Sequence, residues 1–284
     1  MLKHPAFFTL LTGLLLLVSC GPVRHAPKAV GNNARLGTGT TVLPLNAMLV
    51  PDGKLWASFY QQRSAEYKAL CIQAYNIARL RIDQALAKPS SRPMAIVTDI
   101  DETFLDNSPY AVHQALQGKD YEAAGWSAWT ALGAADTLAG AVSFFQYVSA
   151  KGIEVFYVTN REEQERAGTT SNLRRYGLPG VDDKHLILRN GPSSKEQRRQ
   201  QIGEQYEIVL LLGDNLADFS SIFDKKTEQE RLAGVTNVQQ LFGDRFILLP
   251  NVTYGAWEES FYQYNYNHSA AEKDSLIRSA LKGY

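Results

Sequence analysis

Apolar and polar positions fall into blocks along this chain, and the blocks change period. From Leu55 to about Ala87 apolar residues recur at helical spacing, with Tyr67, Leu70, Tyr75, Ala78 and Leu80 in the series. Lys88-Pro89-Ser90-Ser91-Arg92-Pro93 closes that helical stretch. Met94–Thr98 is a short apolar run and predicts a buried strand. Thr137–Ala150 predicts a helix with Leu138, Val142, Phe145 and Val148 on one face, stopped by Gly152. Ile153–Thr159 predicts a second strand, Glu162–Tyr176 a polar helix ended by Gly177, and His185–Leu188 a third strand. Ser194–Gln205 predicts a charged helix, Ile208–Leu212 a fourth strand and Phe246–Leu249 a fifth. Strands alternating with helices imply an α/β fold with a parallel sheet covered on both faces. Ligands of such sheets sit at the carboxyl ends of the strands.

Composition narrows the partners. The 284 residues carry 29 basic and 29 acidic side chains, so no basic excess draws the chain onto a nucleic acid polymer. Two cysteines exclude a disulfide scaffold and a four-cysteine zinc site. The first residues read as an address: Lys3, then an apolar run from Ala6 to Val18, too short and too early for a membrane span. The run ends Leu17-Val18-Ser19-Cys20-Gly21, which resembles a bacterial lipobox. That resemblance implies a signal peptide over residues 1–19 and a lipidated Cys20 that anchors the chain to a membrane. Gly21, where aspartate would imply inner-membrane retention, points to the outer membrane. Residues 20–50 read as a tether, rich in Gly, Pro, Ala, Asn and Thr. Cys71, the other cysteine, reads as a buried thiol in the helix that follows.

The strand ends carry the acids. Strand one runs out into Asp99-Ile100-Asp101-Glu102-Thr103, and strand four into Gly213-Asp214-Asn215-Leu216-Ala217-Asp218. Both clusters belong at the same sheet edge, where crowded carboxylates repel unless a cation intervenes. Oxygen ligands favour a hard cation, with Mg2+ as the expected ion. No Gly-x-x-x-x-Gly-Lys loop, Gly-x-Ser-x-Gly elbow or His-Glu-x-x-His pair occurs. The five histidines are scattered. Carboxylate nucleophilic catalysis assisted by a metal remains. Against it stand ordinary readings: Asp99 and Asp101 as turn residues, Thr159 as a helix cap, Lys195 as a surface lysine with Lys184 and Arg189 as rivals. Arg161 reads as a solvated residue at a helix start, and Glu102 as a cap or a partner of the other acids.

Asp99-Ile100-Asp101-Glu102-Thr103 resembles the Asp-x-Asp-x-Thr motif of the haloacid dehalogenase-like (HAD) phosphohydrolases. Val97 to Tyr110 is similar to the first signature of the class C bacterial acid phosphatases, and Val209 to Phe219 to the second. Phe104 departs from the smaller residue usual at its position. With the lipobox, the whole resembles the lipoprotein e(P4) family of 5′-nucleotidases. The resemblance implies a HAD-like Rossmannoid parallel sheet flanked by helices, with a smaller, mostly helical cap domain. The phosphatase domain would span 51–284, with its core at about 90–104 and 137–250 and cap elements at about 51–88 and 105–136.

The same resemblance implies roles. Asp99 would attack phosphorus, and Asp101 would pass a proton to the leaving oxygen and take one from water. Mg2+ would be held by Asp99, the Asp101 carbonyl and Asp214, with Asp218 orienting a metal-bound water or the lysine. Thr159 would donate to the phosphoryl group and Lys195 would neutralise it. Trp126 and Tyr254 would sandwich a nucleobase, with Trp129, one turn on, as the rival of Trp126. The expected substrate is a small phosphomonoester, above all a nucleoside 5′-monophosphate; a homodimer is left open. A broad monoesterase, a phosphotransferase and a non-catalytic ligand-binding lipoprotein are the competing functions.

Overall fold

The computed structural model describes residues 48–284. The expected signal peptide, Cys20 and nearly all of the expected tether lie outside the described residues. Helix α1 (Leu49–Arg63) begins inside the last residues assigned to the tether. Helix α2 (Ala65–Leu86) follows after Ser64, whose hydroxyl accepts from the Tyr67 amide and splits the expected single helix in two. The chain continues through β1 (Met94–Thr98), β2 (Leu105–Asp106), α3 (Ser108–Ala115), α4 (Ala123–Ala131), β3 (Asp136–Thr137) and α5 (Ala141–Ala150). Then come β4 (Glu154–Glu162), α6 (Arg166–Arg175), β5 (Leu186–Arg189), α7 (Glu196–Gln205), β6 (Glu207–Gly213) and α8 (Glu228–Asn237). The last elements are β7 (Phe246–Leu248), α9 (Ala256–Phe261) and α10 (Ala270–Ala280).

The main sheet is parallel in the order β5-β4-β1-β6-β7. β1 is central because its run is apolar on both faces, and Ala95, Ile96 and Val97 are buried. Thr98 pairs with Tyr157 on one side and Leu212 on the other, so the ends of β4, β1 and β6 stand side by side. Helix α5 covers one face through Phe144, Phe145 and Val148, all fully buried. Each such side chain stabilises the fold by about 1.5–3 kcal/mol relative to exposure.

One expectation is corrected. Residues 65–86 belong to the sheet layer and not to the cap: Cys71, Tyr75, Ala78 and Ile82 share a core cluster with Ile96, Phe144 and Leu210. An amphipathic helix shows that it buries a face but not which partner receives it. Cys71 is fully buried, and burial pushes its thiol up to about 11.

The elements above the sheet edge come from the segment after β1, joined by α1. β2 and β3 form a short antiparallel pair at its base. Gln61 and Gln62 of α1 donate to Asp106 (2.8 Å) and Ser108 (2.9 Å), fastening α1 to α3. Helix α4 rests on α6 at Gly168, where a Cβ would stand 2.1 Å from the Thr130 carbonyl oxygen. No residue of α10 is buried. The α10 residue Asp274 accepts from the Leu49 amide at 3.0 and 3.1 Å, and Lys273 pairs with Asp120 at 2.8 Å. Among the described residues no helix is long and apolar enough to cross a membrane.

Candidate active site

The Asp99 amide donates to the Leu212 carbonyl at 3.0 Å, extending the β1–β6 pairing by one residue before the chain turns. Asp99 therefore leaves the sheet beside Gly213 and Asp214. Gly213 is needed there: a Cβ would lie 2.4 Å from the Asp218 side chain, which folds back over the strand end. Asp218 is held by the Asn215 amide donating to its Oδ2 at 3.0 Å. Asp214 accepts from Asn251 Nδ2 at 2.8 Å. One carboxylate oxygen from each of Asp99, Asp214 and Asp218 lies within 4.8 Å of the other two. Lys195, just before α7, is buried with Nζ 2.6 Å from Asp99 Oδ1 and 2.7 Å from Asp218 Oδ1.

Charge at this edge does not balance. Burial pushes Asp99 up, against the pull of Lys195, and pushes Asp214 well up, helped by the charges of Asp218 and Asp99. Burial pulls Lys195 down, but Asp218 and Asp99 outweigh it and keep it an ammonium. Three acids thus face one lysine. The donor set is all oxygen, and ligands of an octahedral ion at about 2.1 Å stand roughly 3–4 Å apart, so a hard divalent cation fits these residues. Asp218 gives one oxygen to Lys195 and the other to Asn215, whereas Asp99 keeps Oδ2 clear and Asp214 carries Asn251 on Oδ2 and only a long 3.4 Å bond from the Thr103 hydroxyl on Oδ1, so Asp99 and Asp214 hold the more loosely bound oxygens.

Asp101 is held differently. Its Oδ1 accepts from Arg161 Nη2 (2.7 Å), Arg161 Nε (3.1 Å) and Asn107 Nδ2 (2.8 Å). Its Oδ2 shares only the Nε hydrogen, at 3.1 Å. Arg161 is buried, with Nη1 donating to Thr169 at 3.0 Å and its guanidinium carbon 5.6 Å from the Trp126 ring centre. The expectation of a solvated arginine at a helix start is overturned, because β4 runs on past Thr159 to Glu162 and carries Arg161 across the edge. Sequence reasoning passed over Asn107 and read Arg161 as solvated; an arginine two positions beyond the expected strand end at Thr159, facing an acid cluster, is the signal.

Glu102 adopts a left-handed backbone (φ 51°), uncommon for a residue with a Cβ, which bends the loop after Asp101. The Asn107 amide donates to Glu102 Oε1 at 2.8 Å, and the Tyr254 hydroxyl donates to Oε2. Burial, with the Asp101 charge, pushes Glu102 up to about 8.

Asp99, Asp101, Trp126, Lys195, Asp214 and Tyr254 line one cleft of about 710 Å3, and Asp218 joins them. Trp126 meets Tyr110 edge-on at 5.2 Å. Trp129 sits elsewhere in the network: its indole N–H donates to Asn107 Oδ1 at 2.8 Å. Thr159 is fully buried, its hydroxyl accepting from the Arg161 amide at 3.1 Å, while its neighbours Asn160 and Arg161 face the cleft.

A doubly covered parallel sheet with acids and a buried lysine gathered at its carboxyl edge is the architecture of a HAD-like α/β protein. The chain belongs to the HAD superfamily, subfamily IIIB (acid phosphatase), a family of phosphomonoester hydrolases, whose pattern it matches over residues 46–257. It is similar to the class C acid phosphatase from Bacillus anthracis, at 39% identity over 83% of this chain and 99% of that one, with a TM-score of 0.80. The tungstate-bound structure of the class C acid phosphatase from Bacillus anthracis matches at 38% identity and TM-score 0.80, covering 84% of this chain and 99% of that one. A curated relative, acid phosphatase 1 of Solanum lycopersicum, is 29% identical over 130 residues, 43% of this chain. The chain spans 50% of that relative's length.

Proposed function

We propose that this chain is a lipid-anchored, Mg2+-dependent acid phosphatase of the bacterial cell envelope that hydrolyses nucleoside 5′-monophosphates. The observation that carries the chemistry is the trio Asp99, Asp214 and Asp218 around Lys195, on the ends of adjacent strands. Asp99 is the nucleophile: it sits at the head of the turn, and a carboxylate forms an anhydride with phosphorus that water can open. Lys195 spans Asp99 and Asp218 and is placed to neutralise phosphoryl oxygens. Asp101 exchanges a proton with the ester oxygen and then with water. Asp99 and Asp214, with the Asp101 carbonyl, would hold the divalent ion, and Asp218 fixes the lysine. When bound, the ion neutralises charge that develops on the transferring phosphoryl group. Thr159, on β4 and accepting from the Arg161 amide, is the hydroxyl we assign to the phosphoryl group.

Trp126 and Tyr254 support the nucleotide preference because both rings line the acid-bearing cleft. A base stacked on one ring gains roughly 1–3 kcal/mol, with little regard to its identity. Trp126 is preferred to Trp129 because it lines the cleft, while the Trp129 indole N–H is bonded to Asn107. The test assays a panel of nucleoside monophosphates beside nitrophenyl phosphate, with EDTA and after Mg2+ is restored. Loss of all hydrolysis in EDTA, recovery with Mg2+, and a KM raised about tenfold for nucleotides in Trp126→Ala or Tyr254→Ala are expected. Undiminished hydrolysis in EDTA, or equal losses on both substrate types, would refute the metal or the stacking assignment respectively.

A further inference from the structure

We propose that Arg161 is a positioning residue that aims one oxygen of Asp101 at the leaving group. Trp129, acting through Asn107, is the second arm of the same clamp. The inference rests on the reading of Asp101 as the proton donor.

The geometry is asymmetric. Three N–H groups converge on Asp101 Oδ1, from Arg161 Nη2, Arg161 Nε and Asn107 Nδ2. An oxygen that accepts three donors has no room for a hydrogen of its own. Oδ2 shares a single N–H, at 3.1 Å, so a proton carried by Asp101 belongs on Oδ2. The Asn107 amide cannot turn over. Its oxygen takes the indole hydrogen of Trp129 at 2.8 Å, and a flip would set the NH2 against that donor and oxygen against carboxylate. Arg161 comes from β4, Trp129 from α4 and Asn107 from the loop after β2, so three separate elements fix one carboxyl group.

The step this serves balances as follows. An Asp99 oxygen bonds to phosphorus, and the bond from phosphorus to the ester oxygen breaks with its electron pair on that oxygen. The proton on Asp101 Oδ2 passes to it. A water oxygen then bonds to phosphorus and gives a proton back to Asp101, and the Asp99–phosphorus bond breaks with its pair returning to the carboxylate. Proton delivery matters most where the leaving oxygen is a poor anion. A nitrophenolate departs without a proton; an alkoxide does not.

The experiment measures kcat/KM for 4-nitrophenyl, phenyl and alkyl phosphates. General acid catalysis contributes about 10²- to 10⁴-fold. In Arg161→Gln the alkyl ester should lose on that order, and the nitrophenyl ester less than about tenfold. Arg161→Lys keeps the charge without the fork and should show the same steepening. Trp129→Phe removes the N–H together with one ring of the indole, leaves Arg161 and its charge in place, and should steepen the dependence less. The ratio between substrates is taken on one preparation, so a partly folded sample does not distort it; should Arg161→Gln fail to fold, Trp129→Phe carries the test. In an Asp101→Asn background the Arg161 and Trp129 changes should add nothing to the steepening. Equal losses on all esters in the Arg161 and Trp129 variants, with Asp101→Asn steep, would overturn this inference alone. An Asp101→Asn enzyme with an unchanged dependence would overturn the reading of Asp101 beneath it.

Discussion

Gly168→Ala pits two effects of opposite sign against each other. In an exposed helix interior the change stabilises by about 1 kcal/mol, because alanine loses less backbone freedom. Here the added Cβ would stand 2.1 Å from the Thr130 carbonyl oxygen and 2.8 Å from Ala131 Cα. Both are backbone atoms, so no side chain can swing aside. A carbon–oxygen contact relaxes at about 3.3 Å, so α4 and α6 must part by about 1.2 Å. Overpacking of this kind costs about 1–3 kcal/mol, which meets or exceeds the propensity gain. The expected net is destabilisation by up to about 2 kcal/mol, read as a fall in Tm of a few degrees for a domain of this size. The same shift acts on function, because α4 carries Trp126 and Trp129. Moving the indole by about 1 Å takes its 2.8 Å bond to Asn107 beyond hydrogen-bond range. Thermal unfolding and nucleotide KM are the two assays. A Gly168→Ala protein that melts higher than the parent, with unchanged KM, would refute the close-approach argument.

Asp99→Asn should abolish turnover while leaving the melting curve cooperative, since the amide keeps the shape but is a poor nucleophile; measurable steady-state hydrolysis near the parent rate would contradict it. Burial pushes Asp120 up, but Lys54 and Lys273 outweigh it and hold its carboxyl down at about 2. The stability it contributes is therefore present above the unfolded value of about 3.9 and lost as pH falls through about 2. Asp120→Asn should flatten the acid limb of the stability profile between those values, and an unchanged limb in acid titration followed by circular dichroism would refute the pairing. Cys20→Ser should move the protein from the membrane fraction to the soluble one; a variant that still pellets after a salt wash would refute the lipid anchor.

The strands were legible because short aliphatic runs bounded by breakers have one comfortable place in an α/β protein, and the acids because they stand directly where those runs end. Two things were hidden, for different reasons. The face of α2 that meets the core has the same spacing as a face that would meet a cap, and only the partner distinguishes them. Arg161 was hidden by a boundary: a strand expected to stop at Thr159 runs to Glu162, and those added residues turn a solvent-facing cation into a buried one. Trp129 lies one helical turn from Trp126, and the sequence treats the rings as equivalent. The indole nitrogen separates them, because one of the two finds an acceptor.

The polar fastening of α10 has a consequence for how the cleft responds to its medium. Lys273 forms part of the cleft wall, on a helix without a buried residue, tied by its bond to Asp120 and by Asp274 on the Leu49 amide. The acid edge is buried in the sheet layer. Dissolved ions therefore reach the two parts of one cavity unequally. At about 1 M salt, where fields are screened within roughly 3 Å, the outer wall loosens while the buried carboxylates and Lys195 keep their mutual field. Added salt is therefore expected to weaken the ion pairs of the outer wall before it weakens the field between Lys195 and the buried acids.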